Sequence, residues 1–76
     1  MTPGTSTEDI ITWEDSFSIS QKLRSLHPEA ALENVSLGMI YQWTIELPGF
    51  DDDPELANEN ILLAIFQEWY EEDLSI

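Results

Sequence analysis

A chain of 76 residues has room for one small domain. It contains no cysteine, which excludes disulfides, thiolate metal sites and a cysteine-ligated iron–sulphur cluster of its own. Sixteen acidic residues against Lys22 and Arg24 give a formal charge of −14, so nucleic acid and anionic membranes are repelled rather than bound.

A charge this high often means disorder, but three Trp, three Phe, two Tyr and 42% hydrophobic residues supply a core. At this size that core is modest, and the expected stability is a few kcal/mol. No apolar run approaches the roughly 20 residues of a membrane span. The N-terminus also lacks a basic signal region, so a cytoplasmic location is expected.

Met1 to Asp9 is rich in Thr, Ser, Pro and Gly and reads as a disordered tail, leaving residues 10–76 as the domain. Ile10 to Trp13 is a short apolar stretch that either pairs as a strand or simply packs Trp13. Asp15 or Ser16 caps a first helix over 16–26, with Ile19, Leu23 and Leu26 forming one buried stripe. Pro28 ends it by biasing His27 away from helix.

A second helix is expected over 36–47. Ser36 is its cap, and Val35 and Ile40 have the spacing of a hydrophobic staple. Leu37, Ile40, Trp43 and Leu47 supply the buried face, Gly38 weakens the first turn, and Pro48-Gly49 stops the element. The third helix, over 58–71, starts at Asn58, or at Asp53 with Pro54 in the first helical position. Ile61, Leu62, Ile65, Phe66 and Trp69 form its apolar stripe. The fold class is therefore all-α, a compact three-helix domain in a winged-helix-like arrangement. Trp13, Leu23, Ile40, Trp43, Leu47, Ile61, Leu62, Ile65 and Trp69 are expected to be largely buried.

The stretch from Phe50 to Asn60 holds five carboxylates, Asp51, Asp52, Asp53, Glu55 and Glu59. Three adjacent aspartates repel one another, so a helix N-terminus, a cation or a basic partner must offset the cost. Asp51, Asp53 and Glu55 have the alternation of an EF-hand start. The match breaks where Leu56 replaces the turn Gly and Leu62 the closing Glu. What remains is a set of hard oxygen ligands for Mg²⁺, Ca²⁺, Mn²⁺ or iron without a preformed cage. The competing reading is that the aspartates only cap the third helix. At its other end Glu68, Glu71, Glu72 and Asp73 oppose the helix dipole. That placement suits either solubility or a basic partner.

Catalysis is not expected. His27 is the only histidine, no nucleophile is paired with it, and no Gly-rich phosphate loop is present. The acids lie in polar runs, not in apolar pockets that would split their pKa values.

Trp13-Glu14-Asp15-Ser16, Leu23, Pro28, Val35, Gln42-Trp43, Leu47, Phe50-Asp51-Asp52-Asp53-Pro54, Asn58-Glu59, Ile61-Leu62, Ala64-Ile65 and Trp69 together form a specific pattern. On it, the chain resembles the IscX family of small acidic iron–sulphur cluster assembly proteins over residues 13–72. The resemblance implies a compact, winged-helix-like helical fold. It also implies docking on the basic groove of the cysteine desulfurase IscS, in competition with frataxin and ferredoxin, and weak binding of Fe²⁺ or Fe³⁺. The motif acids carried over are Asp15, Asp51, Asp52, Asp53 and Glu59, with Glu46 in place of an aspartate. The family's Asp and His ahead of Gln42-Trp43 are replaced here by Met39 and Tyr41, so any iron or partner contact through that pair is lost.

The expected function is thus an acidic, monomeric adaptor of cluster assembly, with an Fe²⁺ donor as the alternative and an acidic interaction module unrelated to iron as a third reading. The expected metal ligands are Asp51, Asp52, Asp53, Glu55 and Glu59, with the C-terminal acids as a second possible iron site. Asp15, Asp51, Asp52, Asp53, Glu68, Glu71, Glu72 and Asp73 are the acids expected to meet the desulfurase.

Overall fold

The computed structural model describes residues 10–74. The expected disordered tail, 1–9, lies outside the described residues. Three helices follow one another as α1 (Ser16–Leu26), α2 (Leu37–Ile45) and α3 (Glu59–Leu74). Single 3-10 turns at Leu32–Asn34 and Pro54–Leu56 lie in the two connections. Helix α3 packs on both others, most extensively on α1. Its Ile65 and Trp69 are buried against Ile19 and Leu23 of α1 and Ile40 of α2.

Helices α2 and α3 begin where their capping chemistry sits. Ser36 Oγ accepts the Met39 N–H at 3.1 Å, starting α2. Asn58 Oδ1 accepts the Ile61 N–H at 2.9 Å, so α3 starts from Asn58. Asp53 is also used: its carboxylate accepts the Glu55 N–H at 3.0 Å and caps the preceding 3-10 turn, with Pro54 at its first position. Both candidate caps therefore act, one after the other. Asp15 occupies the cap position of α1, but its side chain makes no capping bond to that helix.

Two boundaries move. Helix α2 ends at Ile45, not 47, because Leu47 N–H bonds Thr44 in a tighter turn and Gly49 then takes φ 90. A Gly at positive φ reverses the chain at no side-chain cost. Helix α3 runs to Leu74, three residues past the expected end at 71.

Trp13, Leu23, Ile40, Leu47, Ile65 and Trp69 are buried as expected, whereas Trp43, Ile61 and Leu62 are half-buried. Leu26 corrects the predicted α1 stripe: it is 58% exposed. The helix ends beyond the core there, and the ring of His27, stacked on Trp43 with centroids 3.8 Å apart, closes that end instead. Ser20 takes a buried place on α1, its hydroxyl donating to the Phe17 carbonyl at 2.7 Å.

Ile10 to Trp13 both pairs and packs. Ile11 forms a parallel bridge with Phe50, through Ile11 N–H to Gly49 O and Asp51 N–H to Ile11 O, both 2.9 Å. This isolated bridge is the β pairing seen among the described residues. The all-α expectation therefore holds, while a hairpin wing is not found there.

Candidate functional site

The acidic loop is positioned by that bridge. Once Phe50 lies beside Ile11, the following aspartates come under Trp13. The Trp13 backbone N–H donates to Asp52 Oδ2 at 3.0 Å, and its indole Nε1 donates to the Asp53 carbonyl at 2.8 Å. Phe50 meets the same indole edge-on at 4.9 Å, and Tyr41 stacks parallel to it at 6.1 Å. Trp13 is only 4% exposed, so these donors need partners.

The aspartate run thus divides. Asp52 is half-buried and bonded through both oxygens, to Trp13 and, at 2.8 Å, to the Asp53 N–H. Asp53 is exposed but committed to its cap. The Asp51 backbone joins the bridge while its residue stays exposed, and no bond to its carboxylate is found among the described residues. Backbone donors offset much of the repulsion that makes such a run costly, since charge-assisted bonds are the strong ones. Glu55 and Glu59 are exposed, Glu55 in the turn before α3 and Glu59 in its first turn, where negative charge is favoured.

Asp15 is likewise tied to the frame. Its Oδ2 accepts from the Thr12 N–H at 3.1 Å and the Thr12 hydroxyl at 3.4 Å, closing the turn into α1. The C-terminal acids are divided too. Asp73 pairs with Arg24 at 3.1 Å, linking α3 to α1, although both side chains remain partly exposed and the pair is worth at most about 1 kcal/mol. Glu71 accepts from Gln67 at 3.0 Å, and Glu68 and Glu72 are half-buried.

Among the described residues, no three acidic, His or Cys side chains converge as a metal site. The expected ligands Asp51, Asp52, Asp53, Glu55 and Glu59 follow one another through the loop into the first turn of α3, with Asp52 and Asp53 already occupied by N–H donors. From Glu59 to Glu71 the helix rises about 18 Å at 1.5 Å per residue. The two acidic groups therefore sit toward opposite ends of α3.

Three features escaped the sequence reading. The link from Trp13 to Asp52 and Asp53 spans about 40 residues and leaves no periodic signal. The Arg24–Asp73 pair joins elements whose mutual placement only the fold sets. The third is at Met39. Its sulphur accepts the Ser36 N–H at 3.4 Å, completing a reciprocal capping pair with a thioether where a carboxylate is the better acceptor.

Fold and surface together define a small acidic helical domain whose carboxylates lie at both ends of one helix. Residues 11–73 match the family model described as iron-sulphur cluster assembly. The chain belongs to this family, the IscX family of cluster assembly proteins. An uncharacterized protein of Pseudomonas aeruginosa is 36% identical over 62 residues, covering 82% of this chain and 94% of that protein. No helix among the described residues is long and apolar enough to cross a membrane.

Proposed function

We propose that this protein is a non-catalytic, cytoplasmic adaptor of iron–sulphur cluster assembly that docks on a cysteine desulfurase through its acidic surface. The observation that carries the reading is that Asp51, Glu55, Glu59 and Glu71 are all exposed, in the loop before α3 and toward both ends of that helix, in a chain of charge −14. Exposed acids spread over this length suit a basic groove and speed association by long-range attraction. Family membership supplies the assembly machinery as the setting. Docking there is expected to compete with frataxin and ferredoxin for overlapping surface.

Iron enters as cargo, held weakly and by oxygen alone. Asp51, Glu55 and Glu59 are the residues with carboxylates left over, since Asp52 and Asp53 serve the backbone. Hard, uncaged oxygen ligands hold iron loosely, which favours an adaptor over an iron donor. The deciding experiment is calorimetric titration of a bacterial cysteine desulfurase with the metal-free protein, repeated anaerobically with Fe²⁺ present. Binding without metal is expected. Binding that appears only after iron is loaded would replace this reading with the donor one.

A further inference from the structure

Helix α3 carries more apolar surface than its core needs. Ile65 and Trp69 are buried, and Ile61, Leu62 and Phe66 pack beside them, which already makes a complete inward face. Yet Leu63, Tyr70 and Leu74 are 46%, 47% and 65% exposed. Their spacing of seven and four residues places them in one line at about 3.6 residues per turn, roughly half a turn from Ile65. Beside that line Phe66 and Tyr70 form, with Ala31 and Leu32, a shallow groove of about 450 Å³ whose remaining walls are Glu33 and Asp73.

The solvated face of a surface helix is normally polar. Single exposed apolar side chains need no explanation, but three on one helix face, interrupted there by Gln67 and flanked by an apolar groove, are more than scattered ones. Charge selects what covers it. A second copy would bring two chains of −14 into contact, and an anionic lipid surface would be repelled. Glu33, Glu59 and Glu71 flank the patch and favour cations at its edges, beside the Arg24–Asp73 pair. We propose that this seam of α3 docks a basic amphipathic protein segment, one whose apolar stripe lies along Leu63, Tyr70 and Leu74 while its Lys or Arg residues meet the flanking acids. The seam adds an apolar contribution to binding that salt does not screen, and it does not depend on the partner being the desulfurase.

The test uses the full chain and two synthetic helical peptides of about 18 residues, one of Leu and Lys in amphipathic order, the other with Ser replacing every Leu at the same charge. The Leu/Lys peptide is expected to bind roughly tenfold or more tightly at physiological salt, shifting the amide NMR signals of Leu63, Phe66, Tyr70 and Leu74. The combined variant Leu63→Ser, Tyr70→Ser, Leu74→Ser is expected to lose that advantage and keep the residual affinity shared with the Ser/Lys peptide. Should the combined variant melt, Leu63→Ser and Tyr70→Ser made singly carry the same comparison. Equal binding of the two peptides, or a preference that survives the substitutions, overturns the proposal. So does a dimer in sedimentation that these substitutions dissolve, because a second copy would then be the occupant.

Discussion

Asp52 and Trp13 hold each other in place across the domain. The carboxylate accepts the tryptophan's backbone N–H at 3.0 Å, and the next residue's carbonyl takes the indole N–H at 2.8 Å. An acidic loop and a buried aromatic therefore form one structural unit, and the loop's remaining acids are presented from a fixed base.

This unit predicts that the neighbouring aspartates are not equivalent. Asp52→Ala leaves the Trp13 N–H without a partner and should cost about 1–3 kcal/mol. Asp51→Ala removes an exposed carboxylate and should stay within about 0.5 kcal/mol, or gain slightly by relieving repulsion. Urea unfolding followed by tryptophan fluorescence separates them. Equal losses would show that the link to Trp13 does not hold the loop.

Thr44 is fully buried on α2, and its hydroxyl has no hydrogen-bond partner among the described residues. Replacing an unsatisfied buried polar group by an apolar one of the same shape is neutral or stabilising. Thr44→Val should raise stability by up to about 1 kcal/mol. A loss on thermal unfolding would mean that the hydroxyl is satisfied in solution.

The start of α2 can be improved at two neighbouring positions. A Cβ at Gly38 would meet Ser36 Oγ at 3.8 Å, an ordinary contact, so Gly38→Ala should stabilise by up to about 1 kcal/mol. Met39→Asp replaces the thioether with a charged acceptor near a helix N-terminus, expected to add about 0.5–1 kcal/mol. Chemical denaturation of the single and double variants checks both. Destabilisation by Met39→Asp would mean that the side chain's apolar packing outweighs its cap.

Much of the fold was legible because helices repeat. Ile19 and Leu23, then Ile40, then Ile65 and Trp69 announce buried faces, and Ser36, Asn58 and Pro48-Gly49 mark ends by chemistry that acts locally. Leu26 fits its stripe equally well and is exposed, because periodicity gives a face but not where the core stops along it. The acidic site was legible as composition only. Three identical aspartates offer no local reason for Asp52 to be the one that turns toward Trp13. The pairing of Ile11 with Phe50 decides it, and a single bridge leaves no pattern in the sequence. Asp15 and Asp73 look like free acids for the same reason, since their partners Thr12 and Arg24 are set by a turn and by helix packing.

The central claim is that the exposed carboxylates Asp51, Glu55, Glu59 and Glu71 dock the protein on a cysteine desulfurase, while Asp15, Asp52 and Asp53, bonded to the backbone, hold the fold. The most direct measurement is calorimetric titration at about 50 mM and about 300 mM salt, which spans strong and weak screening. Wild type is compared with the variant Asp51→Asn, Glu55→Gln, Glu59→Gln, Glu71→Gln, which leaves Asp52, Asp53 and the Arg24–Asp73 pair untouched. Wild type should bind much more weakly at high salt. The variant, still folded, should lose roughly tenfold or more at low salt and show a flatter salt dependence. Affinity unchanged by both salt and charge removal would contradict the account.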